Sequence, residues 1–369
     1  MADPDPWHFG RSSLARRTLT LLAVGPARAL TLFAPRRTGK TEFLIKDLGP
    51  AAEADGHRAI YVSFWQSPLS PLATLLHALE TSLRQGTFYD RLRQAGSALS
   101  PKLQLSIPMI GRTEVDVGDL RGRPPDDLLL HLDELLGRVS MRNKPTILLL
   151  DEVQELARSG DNHALVAALR TSLDKRPDNL RSVFTGSSRE GLAAMFAARQ
   201  APFFHFATPI DLPPLGEPFV DHILKTMANV AQRRPNRQEM LTAFNDLHGN
   251  PYYFRTLVES MLLNPGLTTA AALLEVRHRI AAELGFPNIW LSLTPLQRAV
   301  AQALLEHGKP FGQSARTAMA EHLEEEIPSP GRVQAALRRL QRLDLVDRQN
   351  GGWRITDPEW ADWVRKERA

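Results

Sequence analysis

The sequence predicts an α/β fold: a parallel sheet with flanking helices, then a helical stretch, then a smaller C-terminal domain. Three observations carry this. Short apolar runs alternate with helical patterns, Leu30–Phe33 and Ala59–Trp65 being separated and followed by helices, and that order calls for crossovers and a parallel sheet. The segment Ala34-Pro35-Arg36-Arg37-Thr38-Gly39-Lys40-Thr41 lies between the first strand and its helix. The acidic pair Asp151-Glu152 closes a second apolar run, Thr146–Leu150.

The second observation has the spacing of a P-loop, the strand–loop–helix unit of nucleoside triphosphatases. Successive backbone N–H groups of such a loop wrap a diphosphate, and the helix starting near Lys40 turns its positive end toward the same anion. Lys40 adds a mobile charge for the β- and γ-phosphates, and the Thr41 hydroxyl suits Mg²⁺. Pro35, Arg36, Arg37, Thr38, Gly39 and Glu42 complete the expected nucleotide contacts. The first glycine of the pattern is replaced by Ala34, the smallest substitute but one with little room at positive φ.

Before this loop, residues 1–6 read as a loose leader, and Leu14, Leu19, Leu21 and Leu22 mark a helix preceded by Arg11, a candidate nucleotide contact or a solvated side chain. After it, Gly49-Pro50 is expected to break the chain. Leu72, Leu75, Leu76, Leu79 and Leu83 recur on one helix face. Residues 86–125 read as an insertion, with a hairpin over Lys102–Asp116, serving either a partner or a sheet edge. Leu128–Val139 is a helix and Thr146–Leu150 a buried strand. A carboxylate at the carboxyl edge of such a strand sits where open α/β sheets bind ligands; Asp151 suits Mg²⁺ through water and Glu152 suits the attacking water. Leu165, Leu169 and Leu173 mark the next helix; Leu180–Thr185 is a strand, and Ser187 or Ser188 after it is placed to read a γ-phosphate or to cap the helix that follows. Phe203–Leu212 is the fifth strand candidate.

From Glu217 to about Leu284 the pattern is helical, with Pro251 in a first helical turn, and reads as a lid. From about Ser292 three helices and a hairpin around Gln349-Asn350-Gly351-Gly352 make a winged helix-turn-helix. Its third helix turns Arg332, Arg338, Arg339 and Arg342 outward, toward DNA or toward a protein, since basic and acidic side chains are nearly balanced there. The expected domains are 1–215, 216–290 and 291–369.

The whole chain agrees with several domains: 369 residues exceed one core of usual size. The 43% hydrophobic content suffices for packed globules, and no apolar run reaches bilayer length. The absence of cysteine excludes disulfides and thiolate chemistry and fits a cytoplasmic protein, as does the lack of an export leader. The net charge of +4 permits nucleic-acid contact without requiring it.

Taken together, the motifs resemble the archaeal-type P-loop ATPases of the STAND/AAA+ assemblage. Phe9-Gly10-Arg11 looks like that group's arginine box, Pro35–Thr41 its Walker A loop, and Leu148–Gln154 its Walker B with a trailing glutamine. Phe184–Ser188 is similar to the sensor segment, Gly249-Asn250-Pro251 to the lid motif, and Ile355–Pro358 with Trp363 to the end of the winged helix. The resemblance implies ATP/ADP and Mg²⁺ binding, slow hydrolysis by a molecular switch, and an arginine finger supplied in a homo-oligomer, for which Arg176, Arg181 and Arg189 are candidates. The competing reading is an adaptor or DNA-binding regulator that holds nucleotide without turnover.

Overall fold

A computed structural model describes residues 5–65, 70–84, 86–94, 125–141, 144–157, 159–187, 189–196, 201–349 and 351–367. The chain divides into two compact units, Met1–Pro214 and Leu215–Ala369.

The first unit opens with α1 (Ser12–Ala23), whose Ala15, Thr18, Leu19 and Leu22 are buried at three- and four-residue steps. β1 (Ala29–Phe33) leads into the loop and α2 (Lys40–Glu42). A π-helical stretch, Phe43–Leu48, runs without interruption into α3 (Gly49–Ala54). Gly49-Pro50 therefore does not break the chain. Pro50 brings no N–H, but the wider turn ahead of it, with Gly49 N–H bonded to Leu44 O, accommodates its ring. A Cβ on Gly49 would meet the Phe88 ring at 2.5 Å, so the glycine serves close packing.

β2 (Arg58–Ser63), α4 (Pro71–Ser82), α5 (Phe88–Gln94) and α6 (Pro125–Val139) follow. Thus part of the 86–125 segment is helical, and the hairpin expected at 102–116 lies outside the described residues. β3 (Thr146–Asp151), α7 (His163–Lys175), β4 (Leu180–Gly186), α8 (Arg189–Phe196) and β5 (Thr208–Asp211) complete the unit. The last strand is shorter than the run Phe203–Leu212. Phe203 N donates to Met195 O and Phe206 N to Phe203 O, which turns this segment back so that Phe203 and Phe206 pack around Phe184. An aromatic run is as well suited to a packed turn as to a strand, and here packing won.

The five strands form one parallel sheet in the order β2-β3-β4-β1-β5. Strands buried on both faces need apolar residues at every position, and β3 is buried throughout. Alternate residues feed two cores: Ile60, Val62, Leu148 and Leu150 pack with α4, α6 and α7, while Ala59, Tyr61, Ile147 and Leu149 pack with α1 and the π-helical stretch. In the register, Ser63 lies beside Asp151, and Phe33 beside Gly186. The loop after β1, the acidic pair after β3 and the polar end of β4 therefore share the carboxyl edge.

The second unit begins with α9 (Glu217–Ala231), α10 (Arg237–Asp246), α11 (Pro251–Leu263) and α12 (Thr269–Glu283), with Phe219, Phe244 and Phe254 clustered in their core. A helix not read separately in the sequence, α13 (Phe286–Ser292), comes next. Then α14 (Pro295–His307), α15 (Gln313–Leu323) and α16 (Pro330–Arg342) precede an antiparallel hairpin, β6 (Val346–Gln349) and β7 (Gly352–Ile355), and α17 (Pro358–Glu367). Trp290 meets Trp360 and Trp363 edge-on or tilted, tying α13 to α17. No helix among the described residues is long and apolar enough to cross a membrane.

Candidate functional site

The loop closes without strain at its substituted position. Ala34 is buried but does not have positive φ; that conformation falls on Arg37 (φ 65°) and Gly39 (φ 90°). Gly39 directly precedes α2, where a residue without Cβ turns the chain into the helix. Lys40, only 4% exposed, donates from Nζ to Ala34 O (2.6 Å) and Pro35 O (2.8 Å). Burial pushes its ammonium below the ordinary lysine value, against the charges of Glu152 and Asp151. Such an amine can exchange loop carbonyls for phosphate oxygens. Thr38 Oγ1 donates to Pro35 O at 2.7 Å, bracing the loop.

Other loop residues are less enclosed. Pro35 and Arg36 are exposed, and the Arg36 guanidinium stands 5.7 Å from the Trp65 ring centre. Glu42 pairs with Lys46 at 3.2 Å. Arg11 reaches the loop from outside: Nη2 donates to Thr38 O (3.1 Å), and its own N–H donates to Asp47 Oδ1 (3.0 Å), where His8 Nε2 also lies at 3.1 Å. Burial lowers the Arg11 guanidinium's affinity for its proton, countered by Asp47 and Glu42.

Asp151 is the centre of the site. It is 1% exposed and accepts three hydroxyl donors: Thr41 Oγ1 to Oδ2 (2.7 Å), Tyr61 Oη to Oδ2 (3.0 Å), and Thr185 Oγ1 to Oδ1. These come from α2, β2 and β4, so only the assembled sheet brings them together. Burial and then the charge of Glu152 push the Asp151 carboxyl above its usual value, while the three donors pull it back. The Tyr61 phenol is pushed well above its ordinary value by burial and by Asp151.

Glu152 follows at φ 56°, a conformation uncommon for a side chain of this size. Ser187 Oγ donates to its Oε2 at 2.8 Å, and Gln154 Nε2 donates to the same oxygen and to Ser187 Oγ at 3.3 Å. Ser188 lies outside the described residues, and Arg189 begins α8. Arg176 and Arg181 stand at the opposite, amino-terminal edge of the sheet. Arg176 Nη1 donates to Asp133 Oδ1 (2.7 Å) and Nη2 to Asp133 O (2.9 Å); Arg181 Nε donates to Leu22 O (2.8 Å). In the second unit, Pro251 occupies the first turn of α11, capped by Asn250 Oδ1, which accepts from Tyr252 N at 3.0 Å. Arg332, Arg338, Arg339 and Arg342 are exposed on α16, with Arg332 3.4 Å from Glu325.

Two residues of this centre escape pattern reading. Tyr61 sits in a run that reads as buried strand, and Thr185 ends another. The available signal is a hydroxyl near the carboxyl end of an otherwise apolar strand, where a buried polar group needs a partner.

The sheet order, the loop and the acidic pair define a P-loop α/β fold. Against known protein families the chain matches none, and no curated protein matches it by sequence. Among solved structures it is similar to the Walker-type ATPase PABY2304 of Pyrococcus abyssi, with 18% identity, 97% of this chain and 96% of that one covered, and a TM-score of 0.61. It is also similar to the Aeropyrum pernix ORC2 protein in its ADPNP–ADP complexes, with 17% identity, coverage of 96% and 93%, and a TM-score of 0.57.

Proposed function

We propose that this protein binds ATP at the loop 34–41 and hydrolyses it, acting as a molecular switch that couples nucleotide state to DNA or to a protein partner. The observation that carries the reading is the 2.7 Å bond from Thr41 to Asp151, which joins the phosphate-type loop to the acidic end of β3 with Glu152 alongside. The similar fold of a protein known with ADPNP and ADP supports it.

Hard oxygen donors at the edge of the sheet fit Mg²⁺, which takes one or two carboxylates plus substrate phosphates and waters. Thr41 and Asp151 would hold it, and when bound it supplies positive charge against the phosphate oxygens. Lys40 and the loop amides bind the phosphates. Glu152 orients and polarises the water attacking the γ-phosphorus, and Ser187 registers the γ-phosphate. Arg11 grips the loop, and Pro251 opens the lid helix of residues 216–290. The arginines of α16, in a winged-helix domain over 291–369, are the candidate DNA contacts.

Glu152 is held by Ser187 and Gln154. This favours a low basal rate and keeps the non-hydrolysing adaptor as the second reading. Stimulation then comes from assembly, DNA or a partner, with Arg176, Arg181 or Arg189 as finger in a homo-oligomer. The test is ATP hydrolysis by wild type and Glu152→Gln, with and without double-stranded DNA, while light scattering sizes the particle. A rate that Glu152→Gln lowers on the order of 100-fold or more, with nucleotide still bound, is expected. Binding without turnover under every condition selects the adaptor.

A further inference from the structure

We propose that Tyr61 is a positioning residue for Asp151: with Thr185 it locks the carboxylate so that a single acceptor site remains, and Asp151 meets a hydrated Mg²⁺ through water. This rests on the reading of the loop as a nucleotide site.

An ionised carboxylate offers about four lone-pair sites on its two oxygens. Thr41 and Tyr61 fill both sites on Asp151 Oδ2, and Thr185 fills one on Oδ1. What is left on Oδ1 would be open to one water of a hydrated ion. Thr41 belongs to α2, directly after the loop. Tyr61 and Thr185 belong to β2 and β4, the strands on either side of β3, so their hold on Asp151 is built into the sheet.

The chemistry of position 61 is specific. Its ring packs among Ala59, Ile147 and Leu149, where phenylalanine would fill the same space. A buried phenol costs stability unless its hydroxyl is bonded. The Tyr61 hydroxyl is bonded to the acidic residue of the site. Its role is to orient the Asp151 carboxylate from the neighbouring strand.

The test is equilibrium binding of a fluorescent, non-hydrolysable ATP analogue to the full chain, in excess Mg²⁺ and in EDTA. Wild type binds more tightly with Mg²⁺. Tyr61→Phe loses roughly tenfold or more of that Mg²⁺-dependent tightening, as expected for a group that orients a metal ligand, and keeps its EDTA affinity and melting temperature. Thr185→Val, which removes the other fixed donor, changes binding in the same sense. If wild type shows the Mg²⁺ effect and Tyr61→Phe retains it within about twofold, the inference falls while the site reading stands. Equal loss in Mg²⁺ and in EDTA marks a merely structural tyrosine and also overturns it. If wild type binds no nucleotide in either condition, the site reading itself fails.

Discussion

The two edges of the parallel sheet treat their aspartates in opposite ways. At the amino edge, Asp133 accepts from Arg176, Ser172 and Lys175, and the Arg176 guanidinium holds its carboxyl well below the usual range. At the carboxyl edge, Asp151 is buried beside a second acid, and its carboxyl is pushed up. The first arrangement neutralises charge where it arises and serves the fold. The second sets a buried acid beside a half-buried one, which costs stability, and under the proposed function that cost serves the chemistry. Arg176 belongs to the first kind, its guanidinium turned to Asp133, and Arg181 turns its Nε to the Leu22 carbonyl. A finger role for either would require it to leave these partners.

The largest expected break of this contrast is Lys40→Ala. Removing the buried cation beside Asp151 and Glu152 should cut nucleotide affinity or turnover by about 10²–10³-fold, measured by binding and phosphate release, with the melting transition retained.

Smaller and of a different kind is Glu359→Gln, which asks whether an upward-pushed carboxyl without a catalytic setting carries the same cost. Burial, then Asp357 and Asp362, push the Glu359 carboxyl up to about 7, against Arg277 and Lys366. A raised folded value means the native state binds the extra proton, so stability falls as pH rises from about 4.5 to about 7 and is flat above. The total is on the order of 2 kcal/mol after allowance for solvent. Denaturant titrations across pH 4–8 should show the slope in wild type and lose it in Glu359→Gln.

The smallest effect belongs to Asp133→Ala. Its partners are partly solvated, so the loss is about 1 kcal/mol in urea unfolding, with ATP turnover unchanged. A loss of turnover there would erase the distinction between the edges.

How much of this was legible follows from how local each signal is. The place of Ala34–Thr41 between β1 and α2 could be read because a P-loop pattern is contiguous, with the residues that turn the chain next to those proposed to meet an anion. Asp151-Glu152 was legible because the apolar run before it announces a buried strand's end. The substitution at Ala34 looked costly only because its φ was unknown; the left-handed positions are Arg37 and Gly39 instead.

The sequence by itself determined the alternation of strand and helix, the loop, the acidic pair and the helical character of the C-terminal half, all of which rest on periodicity or adjacency within a few residues. Only the tertiary structure decided that the helix runs through Gly49-Pro50, that Phe203–Phe206 turn into the core, and that Tyr61, Thr185 and Thr41 meet on Asp151. The reason is physical. The first two depend on packing against distant side chains, and the third on which strands are neighbours: the order β2-β3-β4-β1-β5 sets residues 90 and 110 positions apart within hydrogen-bond reach.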